Sequence, residues 1–302
     1  MVARQLPWSP EIRLDGGGRA RVLLFAGFGA GPETLRSLAE ALQSDALATV
    51  LLLSLAGHTG DRRAFERSRS WHYIGEAEER FIRFWQERGT PVHLGGYSTG
   101  ALIALLVAAR HPEKVAGLVL TSPALRLSRT DKQLVGFAAG SLYYVALPAA
   151  LLGSLLALAW KSRTQGWGAR RRTLGALGAM AVWASATAGL RGLTVPLDEG
   201  GPLLRDGEEV LPPHFTRASL LSGSTLVPVQ LAARWQLRRL SLPVCLIFGE
   251  DDTVVDVRFG TMRARASRHA ELHVVPKAPH RVVTVDECHR IVCEFVRRRR
   301  PA

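Results

Sequence analysis

Cysteine is scarce in this sequence. Three cysteines occur among 302 residues, and none belongs to a Cys-x-x-Cys pair. Cys245, Cys288 and Cys293 instead lie within apolar stretches. This pattern excludes a disulfide framework and a zinc site built on cysteine, so we expect three buried thiols.

Acidic side chains are also few, with 26 Asp and Glu against 39 Lys and Arg and a formal net charge of +13. Four arginines stand together at 297–300. Such an excess attracts anionic membrane surfaces or nucleic acid, or it forms a solvated surface rich in arginine. Basic and aromatic residues do not interleave as they do in nucleic-acid-binding modules, so we expect no nucleic-acid partner.

Residues 1–10 lack the basic stretch and apolar core of a signal peptide. The sequence therefore predicts a cytoplasmic protein, with membrane association left open by its charge. Its 47% apolar and 22% charged residues are typical of a globular protein. A chain of this length accommodates one large α/β domain that carries an insertion.

Apolar runs alternate with amphipathic helical patterns up to residue 121 and again after residue 240. This alternation predicts βαβ units and a mostly parallel sheet flanked by helices. Ligands of such sheets bind at the carboxyl edge of the strands, where loops at Gly27, Gly57 and Ser98 are expected to meet. Apart from the strand that precedes Ser98, the predicted buried strands are 21–26, 48–53, 115–121, 240–249 and 271–276.

Residues 91–110 combine a short strand, a tight turn and an apolar helix. The turn Gly96-Tyr97-Ser98-Thr99-Gly100 fits the Gly-x-Ser-x-Gly pattern, in which strained backbone geometry presents a serine hydroxyl above the sheet. The two glycines let the strand and the helix pass closely. We therefore identify Ser98 as the candidate nucleophile.

A serine hydroxyl needs a base to remove its proton at neutral pH, and histidine suits this role. His280 follows a late predicted strand, which brings it to the same edge as Ser98. His58 lies on an earlier loop, and we expect it to brace that loop or to line the substrate.

A carboxylate is expected to hold the histidine in the correct tautomer. Asp251 and Asp252 both follow the predicted strand at 240–249, and their positions alone do not separate them. Asp256 lies a few residues further along.

From 123 to 240 the alternation of strands and helices stops. No residue between Lys132 and Lys161 is charged, and a basic stretch then precedes a second apolar run at 174–190. Three interpretations are open: a helical lid over an acyl pocket, a lid that inserts into a membrane, and a hairpin that spans it. The sequence predicts a core formed by 1–122 and 241–302 around an inserted apolar helical cap at 123–240.

These motifs resemble the α/β-hydrolase superfamily, and within it the serine esterases and the monoacylglycerol lipase or lysophospholipase group. The resemblance implies an α/β-hydrolase fold with the cap inserted before the strand that carries the acid. In the family's acid turn the aspartate falls three residues after a glycine, here Gly249, which favours Asp252 over Asp251. The matching segments are the turn at 96–100, the loop at 55–60, the acid turn at 248–255 and the histidine turn at 278–280.

Attack on a carbonyl carbon creates an oxyanion, which backbone N–H groups stabilise. In enzymes with this elbow, one donor is the residue after the nucleophile, here Thr99, and the other lies in the loop after an early strand. Phe28 is that second donor. We assign Gly27, His58 and Tyr97 to substrate binding.

We expect a serine hydrolase that cleaves an apolar acyl ester through an acyl-enzyme, as a carboxylesterase or monoacylglycerol lipase does, without a metal ion or other cofactor. The apolar cap and cationic surface suggest a lipid-like substrate met at an anionic membrane. Alternatives are a thioesterase or a peptidase with the same three residues, a binding protein that kept the fold without catalysis, and a membrane-anchored scaffold. For a peptidase, the acids available to hold a substrate amine are Asp198, Glu199, Asp206, Glu208 and Glu209.

Overall fold

The structure is a computed structural model that describes residues 4–128, 147–164, 169–197, 203–205 and 208–299. Its strands are β1 (Arg4–Gln5), β2 (Glu11–Leu14), β3 (Arg21–Phe25), β4 (Thr49–Leu53), β5 (Val92–Tyr97), β6 (Val115–Thr121), β7 (Thr194–Pro196), β8 (Leu203–Arg205), β9 (Glu208–Leu211), β10 (Arg217–Ser219), β11 (Val244–Gly249) and β12 (Ala270–Val275). Its α-helices are α1 (Arg36–Asp45), α2 (Arg62–Arg67), α3 (Ser70–Gln86), α4 (Thr99–Arg110), α5 (Leu147–Thr164), α6 (Ala169–Gly192), α7 (Leu220–Ser224), α8 (Leu226–Leu237), α9 (Val257–Arg265) and α10 (Asp286–Arg298).

Seven strands form the central sheet, in the order β2-β4-β3-β5-β6-β11-β12. Each neighbouring pair is parallel except β2 and β4. The inner strands β3, β4, β5 and β11 are buried along their whole length, which agrees with their mostly apolar sequences. The predicted mostly parallel sheet is confirmed.

Helices cover both faces of the sheet, because successive side chains of a strand point to opposite faces. Phe25 packs on the face covered by α3 and α4, whereas Leu24 packs on the face covered by α1 and α10. The prediction of buried thiols is also confirmed, since Cys245, Cys288 and Cys293 are free and buried.

Two local features differ from the sequence pattern. The edge strand β2 was not indicated, because its residues alternate between exposed and half-buried and include two charged side chains. Proline suits the first turn of an α-helix, but Pro32–Leu35 form a 3₁₀ turn, and α1 begins only at Arg36. Both differences lie at the margin of the core, where packing constrains the chain least.

In the described residues between β6 and β11 the structure places four helices, α5 to α8, and four short strands, β7 to β10. β7 pairs with β10, β8 pairs with β9, and β1 from the start of the chain joins β9. Although α8 precedes the predicted boundary at residue 240, its residues Val229, Ala233 and Leu237 pack in the core beside α4. The division into core segments and cap stays a prediction.

The uncharged apolar stretch between Lys132 and Lys161 is described only from residue 147 onwards, as part of α5, because residues 129–146 lie outside the described residues. Among the helices that are described, none is both long and apolar enough to cross a membrane.

Candidate active site

The turn around Ser98 has the strained geometry that the motif predicts. Ser98 lies between β5 and α4 with φ 55° and ψ −115°, a left-handed conformation that is unfavourable for a residue with a side chain. A Cβ on Gly96 would lie 2.6 Å from the carbonyl carbon of Gly100 and from the carbonyl oxygen of Phe25. Glycine is therefore required where the strand and the helix cross.

Backbone hydrogen bonds on both sides hold the strained turn in place. The Ser98 N–H donates to the carbonyl oxygen of Thr121 at 2.9 Å, and the Ala124 N–H donates to the carbonyl oxygen of Ser98 at 3.2 Å. The last residue of β6 and the loop that follows it thus fix the backbone of Ser98. A strained residue persists when its surroundings fix it in this way.

Ser98, His280 and Asp252 meet at the carboxyl edge of the sheet. The Nε2 atom of His280 lies 3.2 Å from the Ser98 Oγ atom, and its Nδ1 atom lies 2.7 Å from the Asp252 Oδ2 atom. These distances suit two consecutive hydrogen bonds. With the proton on Nδ1 donated to Asp252, Nε2 is free to accept the proton of the serine hydroxyl.

The carboxylate of Asp252 is fixed by backbone donors. Its Oδ1 atom accepts hydrogen bonds from the N–H groups of Val254 at 2.8 Å and Val255 at 2.9 Å, and its side chain is fully buried. Sequence reasoning did not identify these two donors. An aspartate that accepts from the amides two and three residues later forms a local turn, which was the available signal.

The other two carboxylates do not reach the histidine. Asp251 is exposed, and its backbone N–H donates to the carbonyl oxygen of Ala278. Asp256 caps α9 by accepting from the Phe259 N–H at 2.9 Å, and it also lies 3.5 Å from the Arg126 guanidinium. Of the three carboxylates considered, Asp252 alone contacts His280.

The loop after β3 lies directly beside the serine. A Cβ on Gly27 would be 3.4 Å from the Ser98 Cβ atom and 3.2 Å from the Tyr97 ring, so a glycine permits this approach. The Phe28 and Thr99 N–H groups have no acceptor within the described part of the chain. Thr99 is the first residue of α4, where N–H groups lack intrahelical partners and carry a partial positive charge. The two uncommitted donors therefore belong to the residue after Ser98 and to the residue after Gly27, which lies beside Ser98.

His58 and Tyr97, both assigned to substrate binding, are largely shielded from solvent. Tyr97 is 8% exposed, and its ring centre lies 5.0 Å from that of His280. His58 is fully buried, and its Nδ1 atom donates to the carbonyl oxygen of Ala56 at 3.0 Å. The geometry favours the loop-bracing role of His58 over contact with substrate. The rings of Phe28, Phe65, Tyr73 and Phe215 surround it, with centres 4.9 to 6.3 Å away.

Two buried histidines should make the fold sensitive to acid. Burial lowers the pKa of His58 and that of His93, on β5, to about 4. Between pH 6.5 and 4 the unfolded chain therefore binds more protons than the folded chain, and stability falls as the pH falls. We expect the free energy of unfolding in urea to drop by about 1.4 kcal/mol per pH unit for each histidine.

The variant His93→Gln tests this expectation, because it removes one of the two titrations. Its unfolding free energy should fall only about half as steeply between pH 6.5 and 4.5. A reference measurement at pH 7.5 reports the packing lost by the substitution itself. A slope equal to that of the unsubstituted protein would show that His93 does not contribute.

The sequence has known relatives. The model of the alpha/beta hydrolase family matches residues 22–294. A pimeloyl-[acyl-carrier protein] methyl ester esterase of Neisseria meningitidis serogroup C is 30% identical over 193 residues, which are 63% of this chain and 63% of the relative. Its counterpart from serogroup A is also 30% identical over 193 residues, with 52% of that protein covered. The match thus spans less than two thirds of the length of these relatives.

Solved structures resemble the whole chain. One of the two metagenome-derived lipolytic enzymes LipS and LipT has a TM-score of 0.68 and 19% identity to this protein. The match covers 98% of this chain and 100% of that one. The monoacylglycerol lipase of Paleococcus ferrophilus has a TM-score of 0.65 and 18% identity, with 96% and 98% covered. At these identities the likeness establishes the fold, an α/β-hydrolase sheet flanked by helices.

Proposed function

Because the chain belongs to the alpha/beta hydrolase family, we propose that it is a serine hydrolase that cleaves an apolar acyl ester. Ser98 is the nucleophile, His280 the general base and Asp252 the residue that orients the base. The observation that carries this proposal is the line of short contacts from Ser98 Oγ through His280 to Asp252, on a backbone turn strained at the serine.

In the first half of the reaction His280 Nε2 takes the proton of Ser98 as Oγ attacks the ester carbonyl carbon. The carbonyl oxygen becomes an oxyanion, which the Phe28 and Thr99 N–H groups stabilise. His280 then gives the proton to the departing alcohol oxygen, and the carbon–oxygen bond of the ester breaks. The product of this half is an acyl group bound to Ser98.

In the second half a water molecule takes the place of the alcohol. His280 accepts a proton from the water as its oxygen attacks the acyl carbon, and the same two N–H groups hold the second oxyanion. The proton returns to Ser98 Oγ as the acyl bond breaks, which frees a carboxylic acid. Asp252 stays ionised and stabilises the imidazolium in both halves.

Two observations support an ester with an apolar acyl group. The curated relatives are methyl ester esterases by name. The segment inserted between β6 and β11 carries two helices, α5 and α6, rich in leucine and alanine. Exposed apolar helices of this kind favour contact with lipid-like molecules over polar ones.

Labelling with a fluorophosphonate tests the activated serine. We expect the folded protein to be modified at a single residue, Ser98, since an unactivated serine hydroxyl does not attack such reagents at neutral pH. Mass spectrometry of the labelled peptide identifies the site, and heat-denatured protein is the control that should remain unlabelled. A folded sample that takes up no label would favour a non-catalytic binding protein.

A matched set of substrates tests the bond and the acyl group. One long acyl chain is offered as a glycerol monoester, as a coenzyme A thioester and as an amide, beside a short soluble ester. We expect the highest kcat/KM on the long-chain monoester. Faster cleavage of the thioester or the amide would identify a thioesterase or a peptidase, and turnover of the short ester alone would exclude an apolar substrate.

A further inference from the structure

The helices α5 and α6 pack against each other. Gly175 of α6 allows this contact, because a Cβ there would lie 2.5 Å from the nearest methyl carbon of Leu158 on α5. At its carboxyl end α6 continues into β7, which pairs with β10. None of the described residues of this pair belongs to the hydrophobic core of the protein.

Large apolar side chains on this helix pair are exposed to solvent. Trp160 is 70% exposed and Val182 is 69% exposed, whereas the buried leucines and valines of the core are at most 8% exposed. Because removing large apolar side chains from water is favourable, their exposure to water here is unfavourable. The other exposed members are Leu152, Leu155, Leu156, Leu174, Leu177 and Met180.

The exposed apolar surface extends around more than half of α6. At 100° per residue, Leu177, Met180 and Val182 of α6 project over an arc of about 200°. A helix that docks on another protein needs an apolar stripe of about 100°. A surface this wide fits an apolar medium better than a single protein partner.

The charge of the segment that contains α5 and α6 indicates which apolar medium these helices contact. Residues 132–197 contain seven Lys and Arg and no Asp or Glu. Apolar side chains that are accompanied by cations and by no acids favour anionic membranes, where the apolar groups reach the acyl chains and the cations meet the headgroups. The α6 helix would be about 36 Å long, yet no described helix has both the length and the hydropathy to cross a membrane.

We propose that the helix pair α5 and α6 inserts into the interface of an anionic lipid bilayer, lying within one leaflet, and that it anchors the protein there. The segment after α6 connects this anchor to the candidate active site. Leu197 follows β7, and a Cβ on Gly29 would lie 2.7 Å from its Cδ1 atom. Gly29 directly follows Phe28, so the anchored protein would hold the loop after β3, which carries the Phe28 N–H group, close to the membrane.

Binding to vesicles tests the anchor without reference to catalysis. The full chain is mixed with vesicles of phosphatidylcholine and phosphatidylglycerol at a ratio of three to one, and with vesicles of phosphatidylcholine alone. We expect the protein to float with the anionic vesicles, with weaker binding to the neutral ones and at high salt. Failure to float with anionic vesicles would overturn the proposal, whether or not the protein hydrolyses esters.

A double variant and a matched control assign the binding to the helix pair. Leu156→Glu with Leu177→Glu places two charges on the exposed surface, and we expect the lipid dissociation constant to rise at least about tenfold. Leu231→Glu changes a leucine of similar exposure, 52%, on α8 outside the pair. That control should bind like the unsubstituted protein, and an equal loss in both variants would overturn the assignment.

A milder substitution covers the case in which the double variant fails to fold. Brominated lipids quench tryptophans that enter the acyl region, and the sequence contains seven tryptophans. We expect a fraction of the quenching to disappear in Trp160→Phe. Undiminished quenching would contradict insertion of α5.

Sedimentation analysis tests a second copy of the chain as the partner. If the protein forms a dimer that the double variant dissociates, and does not bind vesicles, the exposed surface is a dimer interface and the membrane proposal is overturned.

Discussion

Replacing Ser98 with alanine is expected to lower kcat for a soluble ester by at least about 10⁴-fold. The reason is that in the proposed mechanism the Ser98 hydroxyl forms the acyl bond, while His280 and the proposed oxyanion donors, Phe28 and Thr99, are unchanged. Steady-state hydrolysis of a short p-nitrophenyl ester measures the effect. Residual turnover would come from water attacking a carbonyl held by the two N–H groups.

Ser98→Ala does not change the backbone conformation required at position 98, so a loss of activity can be attributed to the missing hydroxyl. Alanine at position 98 has the same strained φ of 55° as serine, so the temperature of unfolding should stay close to that of the unsubstituted protein. Ser98→Gly is the companion variant. It should be equally inactive yet more stable, because glycine adopts a positive φ without strain. Activity above about one hundredth of the original in either variant would remove Ser98 from the proposal.

Several parts of the site were predictable because they depend on local sequence. The glycines at positions 96 and 100 are required by the close crossing of β5 and α4, so the turn is visible as a motif. The inner strands were predictable because parallel strands covered on both faces need continuous apolar runs. The position of His280 followed from its place after β12 at the edge that also holds Ser98.

Other parts depend on contacts that sequence spacing does not encode. Asp251 and Asp252 are neighbours that only the resemblance to the family's acid turn separated, and the path of the loop after β11 turns Asp252 towards His280 and Asp251 to solvent. His58 has a position suited to substrate contact, yet the aromatic rings that bury it come from distant segments, including Phe65 and Phe215. The choice between the two roles expected for His58, bracing the loop or lining the substrate, therefore depends on contacts that form only once the chain has folded.

The second large effect is expected from Asp252→Asn, which should lower kcat by about 10⁴-fold. The N–H groups of Val254 and Val255 both donate to Oδ1, so the amide oxygen of an asparagine must occupy that position. Its NH₂ group then faces His280 Nδ1 and forces that nitrogen to accept. The imidazole proton moves to Nε2, where it blocks transfer from the Ser98 hydroxyl.

The adjacent residue supplies the control for this argument. Asp251→Asn removes the same charge one residue earlier, from an exposed side chain, and should change kcat less than about threefold, since exposed charges act weakly through water. Steady-state kinetics on one soluble ester compare the two variants, and thermal unfolding checks that both fold. If Asp251→Asn lost as much activity as Asp252→Asn, the general negative charge of the loop would matter more than the hydrogen bond to His280. If only Asp252→Asn is impaired, the effect is one of proton position, because the loop keeps its other carboxylate while the tautomer of the base changes.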